Sequence, residues 1–157
     1  MARQIGLISD THGLLRPDVH DALAGVELIL YAGDVGGDDI LAELGLIAPV
    51  RAVAGNCDDP WSTGLALALD LDIAGVTIHV SHGHELGVPK PAALIQRYAA
   101  DVVVYGHTHR PLVERHGERL VVNPGAAGPR RFDIKPSVAR LTLSDGTFDV
   151  KLIALQA

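Results

Sequence analysis

The sequence predicts an α/β fold in which two β-sheets pack face to face with helices outside. Three observations carry this expectation. The first third of the chain alternates apolar, β-branched runs with helix-like segments, the mark of α/β units with a parallel sheet. Residues 65–82 then read as two strands joined tightly at Ala74-Gly75, where Asp70 and Asp72 alternate with Leu69, Leu71 and Ile73 at period two. The last stretch, 138–155, is a hairpin with Asp145-Gly146 as its tight turn. In order, residues 4–9 form a first strand, and a helix runs from Pro17 to Ala24 with Val19, Ala22 and Leu23 on one side. A second strand covers 27–32. Gly36-Gly37 breaks the chain, and Asp38 or Asp39 caps a helix reaching Leu44. A third strand follows Pro49. A helix fits Pro91 to Ala100, with Leu94, Ile95 and Tyr98 on one face, and a buried strand runs from Asp101 to Tyr105. Residues 112–122 read as a hairpin turning near His116-Gly117. No repeat, low-complexity tract or linker interrupts the chain, so residues 1–157 are expected to form one domain.

Composition narrows the function classes. Apolar residues make up 48% and charged residues 20%, as in an ordinary globular protein. The longest apolar stretches fall well short of a membrane span, and the start, Met1-Ala2-Arg3-Gln4, lacks a signal-peptide pattern. One cysteine cannot form an internal disulfide, which suits a reducing cytoplasm. The net charge of −6 gives an overall field that favours neither a nucleic acid nor a phosphate ester. With no long basic stripe, a nuclease-like reading is weak. Five arginines, Arg110, Arg115, Arg119, Arg130 and Arg131, do cluster late in the chain, diluted by Glu114 and Glu118.

Five short phrases carry the chemistry. Asp10-Thr11-His12, Gly33-Asp34, Gly55-Asn56, Ser81-His82-Gly83-His84 and Gly106-His107-Thr108-His109 each follow an apolar run: IGLIS, ELILYA, VRAVA, VTIHV and DVVVY. If those strands lie side by side, their carboxyl ends converge on one edge. Seven donors then meet: Asp10, His12, Asp34, Asn56, His82, His107 and His109. That is too many for one small divalent ion and suits two, and a paired-metal site is the machinery of phosphoryl chemistry. Asp34 has two carboxylate oxygens with which to bridge. Singly, each phrase has a plain alternative as a cap or turn; it is their joint occurrence that points to metal. Oxygen and nitrogen donors without thiolate suit Mn, Fe, Zn, Co or Ni better than Ca or Mg, with Mn²⁺ the first expectation. Two aspartates carry about −2, so the empty site repels a phosphate. Two divalent ions and a bridging hydroxide bring it to about +1. A metal-held hydroxide would be the nucleophile in line with the leaving group, and no Ser or Cys nucleophile is needed.

These phrases resemble the calcineurin-like metallophosphoesterase superfamily, most closely its small single-domain phosphodiesterase branch. Asp-x-His, Gly-Asp, Gly-Asn, a His after a strand and Gly-His-x-His all occur between Asp10 and His109, and the turn Asn123-Pro124-Gly125 extends the match. The resemblance implies a four-layer αββα sandwich, two facing mixed sheets flanked by helices, with the metals at the strand carboxyl ends. It implies that Asp10, His12, Asp34 and His109 hold one ion. Asp34, Asn56, His82 and His107 hold the other, with Asp34 as the bridge. Asp34, Asn56 and His82 thereby act in the reaction itself. The implied activity is hydrolysis of a small phosphodiester. A phosphomonoesterase with the same two ions is the runner-up, and a protein-interaction scaffold, as in a retromer coat subunit of this fold, is the third reading. A homodimer or homotetramer is the family expectation.

Two departures matter. Larger relatives have Gly-Asn-His, where the His assists the leaving group; here the phrase is Gly55-Asn56-Cys57-Asp58, and Cys57 is expected to be a small, partly buried residue without chemistry. Ala126 stands where the family often has Ser. Arg130 and Arg131, just after the late turn, and His84, near His82, are the expected substrate contacts. His79 is expected on the same strand face as His82, and His20 and His116 at the surface.

Overall fold

In the computed structural model, residues 2–131 and 133–156 are described. Strand β1 (Arg3–Ile8), helix α1 (Val19–Ala22), β2 (Leu28–Tyr31), α2 (Asp38–Leu44) and β3 (Val50–Ala52) come first. Helix α3 (Pro60–Thr63), β4 (Ala68–Ile73), β5 (Val76–Ser81), α4 (Pro91–Arg97) and β6 (Val102–Val104) follow, and then β7 (Leu112–His116), β8 (Arg119–Asn123), β9 (Ser137–Ser144) and β10 (Thr147–Ala154). One sheet has the order β10-β9-β1-β2-β3 and the other β4-β5-β6-β8-β7. In the first sheet β1, β2 and β3 are parallel, while β9 runs antiparallel against β1. In the second, β5, β6 and β8 are parallel, with β4 and β7 antiparallel on the two edges.

Alternation along the strands builds the layers. Ile5, Leu7 and Leu30 turn inward and meet Ile78, Val80, Val104 and Val122 between the sheets. Their neighbours Ile8, Ile29 and Tyr31 turn outward and pack against Val19 and Leu23 of the α1 region and Ile40 and Leu44 of α2. On the far side, Val103, Tyr105 and Val121 are covered by Leu94 of α4. Each fully buried Leu or Ile contributes about 1.5–3 kcal/mol relative to exposure. The architecture is therefore the expected αββα sandwich. Both tight hairpins use two successive left-handed residues: Ala74 (φ 53°) with Gly75 (79°), and Asp145 (48°) with Gly146 (80°).

Several boundaries differ from expectation. Helix α1 is only four residues long, although Val19 and Leu23 are both fully buried. Helix α4 stops at Arg97 because Tyr98 is extended (φ −119°, ψ 132°). The Arg119 guanidinium takes over the freed carbonyls there, donating to Ile95 O and Ala100 O at 2.9 Å and also to Tyr98 O. The short helix α3 was not expected. It is set by Asp59, whose side chain accepts from Trp61 N, by Pro60 at its first turn and by Gly64 in the left-handed region at its end.

Candidate metal centre

The five ligand phrases lie at the carboxyl ends of β1, β2, β3, β5 and β6, which are mutually parallel within each sheet. Their loops bond to one another: Asp10 N donates to Gly33 O (3.0 Å), His12 N to Asp34 O (3.0 Å) and Gly106 N to His82 O (3.0 Å). The backbone is held in an uncommon region at the site. Asp10, His12, Asp34, His107 and His109 all have positive φ, between 46° and 69°. Outside this group, only the hairpin residues Ala74 and Asp145 do so among the described non-glycine residues. Such strain is expected where side chains must be aimed at a point and the surrounding fold enforces it. Gly55 permits the closest approach, since a Cβ there would stand 2.1 Å from Asp34 Oδ1.

The donor atoms converge. His12 Nε2 stands 3.2 Å from His109 Nε2, 3.8 Å from Asp10 Oδ1 and 3.6 Å from Asp34 Oδ2. His109 Nε2 is 3.5 Å from Asp10 Oδ1. His82 Nε2 lies 3.2 Å from Asp34 Oδ2 and 3.8 Å from Asp10 Oδ1. Asn56 Oδ1 and His107 Nδ1 are 3.1 Å apart, and the His82 and His107 rings are 5.2 Å apart. Donors about 2.1 Å from one octahedral ion stand about 3.0 Å apart when adjacent and about 4.2 Å apart when opposite. The observed spacings suit donors around shared ions. Asp34 Oδ2 and Asp10 Oδ1 both face His12 and His82, and Asp34 Oδ2 is the nearer of the two to each.

Protonation also fits cation binding. The Ala32 carbonyl can only accept, so His82 Nδ1 donates to it at 2.7 Å and Nε2 points at the aspartates; burial opposes the charged imidazole, but Asp34 and Asp10 prevail and raise it, so a cation bound at Nε2 takes the place of a proton. Buried Asp10 Oδ1 and His82 Nε2 have no hydrogen-bond partner, a costly arrangement unless a further group binds them. Burial raises the Asp10 carboxyl to about 7. Burial opposes ionisation of Asp34 too, but the contacts with His82 and the Cys57 N–H prevail and lower it to about 2. Burial depresses His12 and His107, and burial with the nearby Arg131 charge lowers His109 to about 4. These three imidazoles are therefore neutral at neutral pH with lone pairs free. The two aspartates and His82 form one compact group, and Asp10, His12 and His109 another.

Residues 4–146 match the model of the calcineurin-like phosphoesterase superfamily domain. The chain belongs to this superfamily. It is 35% identical over 160 residues to a probable metallophosphoesterase of Methanothermobacter thermautotrophicus, covering 95% of this chain and 91% of that one. It is 30% identical over 140 residues to a phosphodiesterase of Methanocaldococcus jannaschii, covering 78% and 82%. Vacuolar protein sorting 29 of Cryptosporidium parvum superposes with a TM-score of 0.80 at 25% identity over 99% of each chain. Calcineurin-like phosphoesterases use divalent metals, and metal-dependent phosphoester hydrolysis is the class of chemistry that this membership assigns.

In this calcineurin-like phosphoesterase two further residues organise the loops, and the sequence named both only as members of their phrases, without a role. Asp58 accepts from Val35 N with both oxygens (3.1 Å each), from Gly36 N (3.3 Å) and from Gly55 N (3.0 Å), tying the Asp34 loop to the Asn56 loop. Buried Asn123 donates to Gly106 O (3.1 Å) and Thr108 Oγ1 (3.0 Å) and accepts from Gly125 N (2.9 Å), so it holds the His107–His109 loop. The signal for each was a small polar residue inside a glycine-rich phrase, which on its own reads as a turn.

Other expectations sort as follows. His84 lies beside the centre, its ring 5.4 Å from that of His82 and 6.3 Å from that of His107. Arg131 borders a small cavity together with His107 and His109, whereas no contact places Arg130 there among the described residues. Cys57 is exposed, not partly buried, because the Gly55–Asp58 turn carries it to the outside. Its thiol is raised by burial of the sulfur and by Asp34, so it stays protonated. His79 does not share a face with His82. Three positions along a strand lead to opposite sides, and His79 instead stacks on Tyr98 (3.6 Å) and contacts Asp70 (2.8 Å). The two larger cavities, of about 420 and 510 Å³, are lined by Asp70, Asp72 and Ala99 in one case and by Arg115, Glu118 and Phe148 in the other, away from every donor.

Proposed function

We propose that this protein is a phosphodiesterase working with two divalent ions, Mn²⁺ first among the candidates. The observation that carries this reading is the shared oxygen Asp34 Oδ2, set between His12 Nε2 at 3.6 Å and His82 Nε2 at 3.2 Å. Asp10, His12, Asp34 and His109 would hold one ion. Asp34, Asn56, His82 and His107 would hold the other, with His82 also near Asp10. When bound, the two ions supply Lewis acidity toward the phosphoryl oxygens and a water whose pKa falls to about 7.

The chain's own residues do the rest. Asp10 and Asp34 offset much of the ionic charge and leave a modest positive surplus for a diester anion. His82, oriented by Ala32 O, and His107, beside Asn56 Oδ1, fix the donor directions before substrate arrives. Cys57, at the position where larger relatives have a His, carries a weakly acidic thiol and is a poor acid for a poor leaving group. Activated diesters are therefore the favoured substrates. The deciding experiment compares bis(p-nitrophenyl) phosphate with p-nitrophenyl phosphate on protein demetallated and reloaded with Mn²⁺. The proposal expects the diester to have the higher kcat/KM and chelation to abolish turnover. A preference for the monoester would replace this reading with a phosphomonoesterase. No turnover on either ester, with both ions bound, would favour a scaffold like its Vps29 neighbours. The complete donor set speaks for an enzyme.

A further inference from the structure

We infer that a second anion-binding subsite adjoins the metal centre, formed by Arg110 and Arg131, and that it selects phosphodiesters carrying an additional carboxylate or phosphate on one ester arm. This rests on the phosphodiesterase reading and names the substrate class for that same site.

The first observation is a cavity of about 110 Å³ lined by His107, Thr108, His109, Arg110, Arg131 and Ile134. That is room for several water molecules, and so for a carboxylate or phosphate group. Of the seven donors only His107 and His109 share its wall; Asp10, His12, Asp34, Asn56 and His82 take no part in it. A phosphate held between the two sets of donors would therefore lie outside it, and a group filling it would be joined to that phosphate through an ester arm. The His107–His109 loop forms both the metal side and the cavity side, so the two groups are neighbours.

The second observation is how this chain treats its arginines. Arg3 pairs with Glu27, Arg16 donates to Gly128 O and Gln156 O, and Arg119 and Arg140 donate to backbone carbonyls. Arg115 bonds Phe148 O, and Arg97 lies over the Tyr98 ring. Arg51, Arg110, Arg130 and Arg131 have no such side-chain partner among the described residues, and of these four only the exposed Arg110 and Arg131 line the cavity. They remain free in a protein of net charge −6, where an unpaired guanidinium could readily find a carboxylate. Ile134 N donates to Arg131 O at 3.1 Å, which ties the Arg131 backbone to another residue of the cavity wall. Thr108 Oγ1 accepts from Arg110 N at 3.3 Å while also accepting from Asn123, which anchors the Arg110 backbone to the ligand loop. A planar guanidinium bonds a carboxylate or phosphate through two parallel N–H groups, a geometry that a lysine does not offer.

The test uses three p-nitrophenyl phosphodiesters that differ only in their second arm: propyl, 3-carboxypropyl and 3-phosphonopropyl. On Mn²⁺-loaded protein the two anionic arms should exceed propyl in kcat/KM by about tenfold or more, and their ranking separates a carboxylate subsite from a phosphate subsite. Arg110→Gln and Arg131→Gln should each cut the anionic-to-propyl ratio several-fold, and the double variant should bring it near one, with metal content unchanged. Arg51→Gln, remote on β3, removes the same charge and should leave the ratio as it is. A parent protein that hydrolyses propyl ester without preferring either anionic arm overturns the subsite and leaves the phosphodiesterase reading standing. A preference that survives the double variant overturns it as well. No hydrolysis of any of the three overturns the phosphodiesterase reading, and the subsite with it.

Discussion

Replacing Asp58 by Ala tests whether the centre depends on loop-to-loop bonds outside the donor set. The carboxylate serves three backbone N–H groups, those of Val35, Gly36 and Gly55, at 3.0 to 3.3 Å. A hydrogen bond to a charged group contributes about 1.5–3 kcal/mol where it is dry. Asp58 is half-buried, its contact with Gly36 N is long and Val35 N is shared between its two oxygens, so the combined loss should be about 2–4 kcal/mol rather than the full sum. For a chain of this length that corresponds to a fall in Tm of about 5–15 °C. The larger consequence concerns metal. Val35 follows Asp34 and Gly55 precedes Asn56, so the bridge and the amide donor lose their common tether. Removing an outer support of a metal site typically costs about 10–100-fold in affinity. Asp58→Asn keeps one accepting oxygen but turns an NH₂ toward backbone donors, and should lose nearly as much. Scanning calorimetry with and without Mn²⁺ gives the stability, and titration calorimetry gives affinity and stoichiometry. Parental Mn²⁺ affinity and stoichiometry in Asp58→Ala would show that the donors are aimed by the strands alone and refute the tether.

Three shorter predictions accompany it. Asp34→Asn should lose more total metal by elemental analysis than His12→Ala or His82→Ala, because Asp34 Oδ2 stands nearer to both His12 and His82 (3.6 and 3.2 Å) than Asp10 Oδ1 does (3.8 Å to each); two ions retained in Asp34→Asn would end the bridging role. Cys57→Ser should change kcat/KM by less than about threefold, since the thiol is exposed and protonated; a drop of a hundredfold, about 3 kcal/mol of barrier, with metals intact would assign it chemistry. Metal binding should release protons below neutral pH. Folded Asp10 keeps its proton up to about pH 7, and His82 is also raised, so Mn²⁺ must displace protons there, whereas Asp34 is already ionised. By the same linkage Asp10 on its own costs the metal-free fold stability as pH rises from about 4 through 7, where unfolded Asp10 has released its proton, whereas the depressed His12, His107 and His109 add stability over the same range. Titration calorimetry in buffers of different ionisation enthalpy should show release at pH 6 that fades by pH 8; equal Mn²⁺ affinity at both would be the contrary result.

Much of this was legible in the chain because it is local. An apolar, β-branched run followed by a small residue, glycine in three cases and serine in two, and then a donor places that donor at a strand's carboxyl end, and five such phrases name the seven donors without any coordinates. The tight turns at Ala74-Gly75 and Asp145-Gly146 were equally local, since two successive left-handed residues are needed there. What the tertiary structure alone decided depends on residues far apart in sequence. Strand β9 inserts between β10 and β1, and β8 between β6 and β7, through hydrogen bonds that no local pattern encodes. Helix α4 ends where Arg119, some twenty residues on, takes its carbonyls. Asp58 and Asn123 read as turn residues until their partners 15 to 23 positions away come into contact. Arg131 joins the cavity and Arg130 does not, a difference between adjacent residues that side-chain direction settles. Local backbone preference selects strands, turns and donor types; only packing two sheets together determines which loops touch, how far donors stand apart and which charges are left without a partner.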